Sequence, residues 1–305
     1  MSLESFVNPI GIMFGIIATG IILRKIKIIS SELKAGLTDL LILFILPCSI
    51  VLSFQAESDA AILFKFGLVF LISAGIHLLS LLLCFTLYRR NPPERKAVLR
   101  YATLVSNAGF MGFPIAESLY GVYGLMYTAI YLIPVRIFAW SVGVGFFTAR
   151  VEGGAFKKLL THPCIVAVVI GIILMVTQLQ LPYILYSALK SIGSCTTPLA
   201  MLLIGSILAE AQKENFAGKT IFFFCFIRLL LIPAVTFTGC FLLGVERTIA
   251  SVSVLLAGMP GASITAVLAA RYNGDEQFAS MCVVVSTMLS LLTIPAWYIA
   301  AENLL

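Results

Sequence analysis

The stretch SNAGFMGFP, from Ser106 to Pro114, lies in the middle of an otherwise apolar run. Its asparagine, small residues and proline interrupt a segment that would otherwise continue as a regular helix. The backbone N–H and C=O groups that such a break releases are costly in lipid, so the segment must be buried in protein or line a polar cavity. The stretch therefore predicts a polar site at bilayer depth.

The composition of the whole chain is that of a membrane protein. Of its 305 residues, 60% are hydrophobic and 11% are charged, and the mean hydropathy is +1.07. Soluble domains carry about 25% charged residues, so this chain cannot cover an aqueous surface. Apolar segments of about 20 residues recur, and we predict an all-α polytopic membrane protein with ten transmembrane helices. The predicted spans are 6–26, 36–55, 61–88, 97–118, 122–148, 161–178, 187–210, 218–243, 248–271 and 276–301.

Lysines and arginines are distributed unevenly along these spans. Fifteen of the 20 follow odd-numbered spans, three follow even-numbered spans, and Arg136 and Arg228 fall inside spans. Because basic loops stay on the cytoplasmic side, we predict a multi-pass protein of the plasma (inner) membrane with both termini outside. The net charge of +6 comes from these loops, so the predicted partner is the lipid bilayer and not nucleic acid.

Similar features recur about 150 residues apart and predict an internal repeat. The matched pairs are Pro9 and Pro163, Pro47 and Pro198, Lys65 and Lys219, Glu94 and Glu246, and Tyr120 and Tyr272. A unit of five spans must enter the membrane upside down in its second copy. We therefore predict two inverted five-helix repeats, which are typical of secondary transporters.

The repeat aligns GMPGAS, Gly258 to Ser263, with SNAGFMGFP. Helices 4 and 9 are thus both predicted to be broken and to cross near the midplane. Pro114 suits the first turn of one half-helix, and Ser263 is placed to cap the other. Helix N-termini directed at the crossing favour an anion, and Asn107 adds a side-chain amide. The alternative is a pair of proline kinks that serve only packing.

SNAGFMGFP followed by Tyr120-Gly121 resembles the span-4 signature of the auxin efflux carrier family. AGMPGA in span 9 and LPCSIVLSF in span 2 are also similar to its patterns, and the resemblance covers essentially the whole chain. The family includes plant auxin exporters and bacterial malonate and malate carriers. Spans 5 and 6 are joined here by a short connection, which is typical of bacterial members and argues against auxin itself.

The resemblance implies a fold shared with bile-acid sodium symporters and an elevator-type mechanism. Scaffold helices 1–2 and 6–7 would occupy residues 1–58 and 151–212, and a homodimer would form through them. Transport-domain helices 3–5 and 8–10 would occupy residues 59–150 and 213–305. The substrate-binding residues carried over by motif position are Asn107, Gly109, Phe110, Pro114, Pro260 and Gly261.

Charged and polar residues inside the spans add further candidates. Arg136 in span 5 either pairs with a substrate carboxylate or neutralises the carbonyl end of a broken half-helix or another buried acid. Arg228 in span 8 lies nearer the cytoplasmic half and either serves the substrate or is structural, and Ser263 joins the candidate substrate contacts. Asp39, His77 and Glu117 are candidates for ion or proton coupling, each with a structural alternative.

The predicted function is a secondary transporter that moves a small organic anion, a mono- or dicarboxylate, by alternating access. One alternative is a sodium-coupled symporter, with oxygen donors from Ser106, Asn107, Ser263 and Thr265. Another is an intramembrane enzyme, which would need a nucleophile with a base, an acidic pair or a metal cluster. The sequence contains no H-E-x-x-H, no G-x-S-x-G and no neighbouring acidic pair at bilayer depth, so we predict no enzyme, no cofactor and no resident metal.

Overall fold

The computed structural model describes residues 3–55, 62–148, 160–209, 218–272 and 274–304, with side chains from residue 11 onward. The described residues form α-helices and π-helical turns, with one isolated β-bridge and no strand. The all-α prediction is therefore confirmed.

The α-helices, numbered in chain order within the described ranges, have the following bounds. They are α1 Leu3–Lys25, α2 Ser31–Leu40, α3 Leu46–Ser53, α4 Ile62–Leu87, α5 Pro93–Leu104, α6 Phe113–Phe138, α7 Val144–Thr148, α8 Pro163–Thr177, α9 Tyr183–Gly193, α10 Thr196–Ala209, α11 Lys219–Phe226, α12 Ile232–Leu242, α13 Arg247–Ala257, α14 Ile264–Arg271 and α15 Glu276–Leu304. The π-helical turns are π1 Leu41–Ile45, π2 Ala108–Gly112, π3 Ala139–Gly143 and π4 Ile227–Leu231.

Six helical segments in the described residues are long and apolar enough to cross a membrane. They are Ser31–Ser53, Ile62–Leu87, Ala108–Thr148, Tyr183–Ala209, Lys219–Leu242 and Glu276–Leu304. The helices α8 and α13 are apolar but shorter. Large apolar side chains such as Phe64 and Ile184 point outward with 80% and 82% of their surface exposed. The chain is therefore a multi-pass membrane protein, while the count of ten spans and the inverted repeat stay predictions.

The chain folds into two compact units. The first comprises residues 1–63, 110–129 and 161–211. The second comprises residues 64–109, 130–160 and 212–305.

Glycines bring two helices of the first unit into close contact. α1 packs along α10. A Cβ atom on Gly20 would overlap the Leu202 carbonyl, and one on Gly205 would overlap the Ile17 carbonyl. Small residues at such positions let helix backbones approach closely in a membrane, where van der Waals packing drives association.

An apolar cluster forms the core of the second unit. Leu99 and Ala102 of α5 pack there with Phe224 of α11, Ala269 of α14 and Cys282 of α15. Most of these side chains are fully buried. The cluster holds the short helices α5 and α14 in place although neither is long enough to span a membrane.

Candidate functional site

Two helical breaks lie in the second unit. The first occupies residues 105–107, between α5 and π2, and the second occupies residues 258–263, between α13 and α14. Both breaks fall at the stretches that the sequence singled out. We call these two segments the crossing.

The two segments of the crossing satisfy each other's backbone. They run antiparallel and form a bridge between Ser106 and Gly261. Unwound backbone at bilayer depth needs such partners, because lipid offers none. The two backbone hydrogen bonds are Asn107 N to Pro260 O at 2.8 Å and Ala262 N to Val105 O at 3.1 Å.

Gly261 is required by its neighbours. A Cβ atom at this position would lie 3.2 Å from Phe224 Cζ and 3.4 Å from Ala102 Cβ. Its N–H donates to Ser286 Oγ at 3.2 Å. Pro260 beside it has no N–H to offer, which prevents a regular helix through this point.

Polar side chains gather at the crossing. Asn107 is 7% exposed, and its Nδ2 donates to Ser263 Oγ over a long 3.4 Å. Ser106 is 5% exposed, and its Oγ has no hydrogen-bond partner among the described residues. A buried hydroxyl without a protein partner is suited to a water, an ion or a substrate.

Arg136 lies beside the start of the helix that leaves the first break. Its Nη2 would be 3.9 Å from a Cβ atom built on Gly109, the second residue of π2. The guanidinium is thus next to a helix N-terminus, so two sources of positive charge adjoin Gly109, two residues after Asn107. This arrangement can bind an anion.

Arg228 lies on the side of the crossing where α5 ends and where the segment after α13 begins. Its side chain is 2% exposed. Nε donates to Met259 O at 2.9 Å, and Nη1 donates to Thr103 O at 3.4 Å. Thr103 lies in the last turn of α5, and Met259 lies two residues beyond the last residue of α13, so the guanidinium faces the carbonyl side of both breaks.

The remaining candidates are divided between the units. Phe110 and Pro114 are buried, and both belong to the first unit with Asp39 and Glu117. Asp39 is exposed on α2. The Glu117 carboxylate accepts a hydrogen bond from Thr197 Oγ1 at 3.1 Å.

His77 is buried within the second unit. Its Nδ1 lies 2.7 Å from Ser73 O, the carbonyl four residues earlier on α4. The imidazole stacks on Phe138 with ring centroids 5.8 Å apart and meets Tyr131 edge-on at 6.0 Å. These contacts are those of a packed histidine that is hydrogen-bonded to its own helix.

One local expectation at the crossing is wrong. Ser263 precedes α14 but makes no capping hydrogen bond with its side chain. Its φ and ψ of −59° and −29° are already helical, whereas an N-cap needs an extended backbone. Pro114 is the second residue of α6, within its first turn, and π2 precedes that helix.

The sequence analysis missed three contributors to the crossing. The carbonyls of Thr103 and Met259 hold Arg228, and Ser286 holds Gly261. Backbone carbonyls leave no signal in a sequence, and Ser286 is one of several serines in an apolar span.

The chain matches a model of the family described as "Membrane transport protein" over residues 5–156 and 147–298. An uncharacterized transporter of Methanocaldococcus jannaschii is 26% identical over 296 residues, which are 92% of this chain and 94% of the relative. One of Methanothermobacter thermautotrophicus is 28% identical over 65% of this chain and 66% of the relative. The uncharacterized transporter YfdV of Escherichia coli is 21% identical over 70% of each chain.

Proposed function

We propose that this chain, which belongs to the membrane transport protein family, is a secondary transporter for a small organic anion. This family is the auxin efflux carrier-like family that the motifs of the chain resemble. The substrate is a mono- or dicarboxylate that binds at the crossing. The observation that carries this proposal is the placement of the Arg136 guanidinium beside Gly109, where a helix begins next to Asn107.

The chemistry of these groups suits a carboxylate. A guanidinium can hold both carboxylate oxygens in a planar pair of hydrogen bonds. The helix N-terminus adds partial positive charge, and the buried Ser106 hydroxyl and the Asn107 amide add donors.

The transport step is an elevator-type exchange between a scaffold and a transport domain. The division into two compact units supports this proposal, because residues 64–109 and 212–305 fall in one unit and residues 1–63 and 161–211 in the other. The crossing lies within the second unit, which would carry the substrate. Residues 110–129 group with the first unit, so the helix after the first break would join the scaffold.

Sodium coupling is the second candidate. Its support is the buried Ser106 hydroxyl, which has no partner among the described residues. Hydroxyl and carbonyl oxygens at broken helices are the usual sodium ligands in transporters. Against it, Thr265 Oγ1 donates to the Ala262 carbonyl within its own turn, which leaves it a weaker ligand candidate.

Counterflow in proteoliposomes tests the proposal. Vesicles are loaded in turn with unlabelled malonate, malate, acetate and indole-3-acetate, and the uptake of the same labelled acid is followed. We expect transient accumulation of at least one acid, and an initial rate at least about tenfold lower for Arg136→Lys, because a lysine cannot hold both oxygens of a carboxylate.

Three outcomes separate the alternatives. Exchange that disappears when sodium is replaced by choline assigns the sodium-coupled mechanism. A chemically changed product would indicate an enzyme. Absence of exchange for every acid, with folded protein in the vesicles, contradicts the organic-anion assignment.

A further inference from the structure

Arg228 is a buried cation whose partners are carbonyl groups and not carboxylates. Its guanidinium donates to Met259 O and Thr103 O. The ion pairs among the described residues do not include it. Burying an unpaired guanidinium is expensive, so the negative ends of α5 and α13 must supply the compensating charge.

Four helix ends meet at the crossing, and their charges can be added. The C-terminal ends of α5 and α13 each carry roughly −0.5 elementary charge, and the N-terminal ends of π2 and α14 each carry roughly +0.5. Without a side-chain charge, these four ends cancel. A crossing built from helix ends alone would have no preference for an anion over a cation.

Arg228 changes this balance. Its single positive charge offsets the two C-terminal ends, about −1 together. The two N-terminal ends then remain uncompensated, with about +1 elementary charge. Hydrogen bonds to the Thr103 carbonyl in the last turn of α5 and to the Met259 carbonyl just beyond the end of α13 hold the guanidinium on the carbonyl side.

We propose that Arg228 is a positioning residue that makes the crossing selective for anions by neutralising the carbonyl ends of both broken helices. The inference rests on the proposed function, since it adds a second source of anion preference to the Arg136 guanidinium beside Gly109. Arg228 acts through the helix ends and does not contact the substrate. The competing explanation is a mechanical one, in which Arg228 only ties the two helix ends together.

The test measures the local electrostatic potential without any substrate. Ser263, four residues beyond Met259 and partly exposed, is changed to cysteine, and the exposed Cys195 is changed to serine. The rates of modification by an anionic and a cationic methanethiosulfonate reagent are then compared. Their ratio reports the sign and strength of the potential at the crossing.

The charge of residue 228 should control this ratio. Relative to the parent protein, Arg228→Gln should lower the anionic-to-cationic ratio by about tenfold, and Arg228→Lys should leave it within about twofold. Arg247→Gln is the matched control. Arg247 is 52% exposed and pairs with Glu302 at 3.9 Å, so its loss changes net charge equally but is screened by solvent.

The outcomes distinguish the inference from the proposed function. An unchanged ratio in a folded Arg228→Gln protein overturns the role of Arg228. A parent protein without anion preference at Ser263→Cys overturns the anion site itself. If Arg228→Gln fails to fold, Arg228→Lys provides the test. A fall in its anionic-to-cationic modification ratio together with its thermal stability supports the mechanical explanation and overturns the electrostatic role of Arg228.

Discussion

Asn107 contributes backbone and side chain to the crossing in different ways. Its N–H is committed to Pro260 O at 2.8 Å. Its side-chain amide reaches Ser263 Oγ only at 3.4 Å, which is beyond the usual length of a strong hydrogen bond. The side chain can therefore turn to a ligand without disturbing the pairing of the two breaks.

Asn107→Ala should accordingly separate binding from folding. Because the backbone hydrogen bond remains, we expect the free energy of unfolding to fall by no more than about 1 kcal/mol. The affinity for the transported acid should drop about tenfold, since one polar contact is lost. The melting temperature of the ligand-free variant reports the change in stability. The shifts caused by malonate and malate report the affinity. Equal affinities in the two proteins would remove Asn107 from the site.

The sequence alone does not distinguish the roles of Arg136 and Arg228. Both are lone arginines in apolar spans, and the sequence allows each a substrate role or a structural one. Arg228 donates to the carbonyls of Met259 and Thr103, whereas Arg136 lies beside Gly109 at a helix start. The difference depends on which turn of each helix faces the crossing, and apolar neighbours on all sides leave that rotation unspecified in the sequence.

At the scale of elements, π-helical turns precede prolines. π1, π2 and π4 are each followed by a proline two residues after their last residue: Pro47, Pro114 and Pro233. Proline lacks an N–H and its ring crowds the preceding turn, and a wider π turn relieves that crowding. The prolines were visible in the sequence, but the change of helix type was not.

The turn before Pro233 shows how a released carbonyl is satisfied. Leu229 O would normally accept from residue 233, which is a proline. The indole N–H of Trp297 on α15 donates to it instead at 2.8 Å. One side chain thus joins α15 to the helix that carries Arg228.

Trp297→Phe should therefore destabilise the second unit. The variant leaves the Leu229 carbonyl without its donor, and we expect a loss of about 1 to 2 kcal/mol in the free energy of unfolding. Denaturation in detergent micelles measures it. In a Pro233→Ala background the new N–H can serve the same carbonyl, so the loss should shrink. An equal loss in both backgrounds would show that the indole acts through packing alone.

In the whole molecule, two ion pairs of the second unit join residues that the predicted topology places on the same side of the membrane. Lys65 pairs with Glu246 at 2.8 Å, and the topology places both outside. Arg95 pairs with Asp275 at 2.8 Å, and the topology places both in the cytoplasm. A miscount by one span between the partners would put them on opposite sides of the membrane.

Asp275 also begins α15. Its Oδ1 accepts from the Phe278 N–H at 2.9 Å while its Oδ2 binds Arg95. Partial burial raises the pKa of the Asp275 carboxyl, but the Phe278 N–H and the Arg95 guanidinium outweigh it, so the pKa lies below its ordinary value. The contribution of this pair to stability is present at neutral pH and is lost as the pH falls through the lowered pKa.

The orientation of the whole chain provides the last prediction. An even number of spans returns the chain to its starting side, and basic loops after odd-numbered spans place both ends outside. Alkaline phosphatase, which is active only outside the cytoplasm, should be active in a bacterial host when fused after Leu305. It should be at least about tenfold less active when fused after Asn91, in the basic loop before α5. The reverse pattern would invert the predicted topology. Activity at both fusion points, or at neither, would contradict the prediction that an odd number of spans separates Asn91 from Leu305.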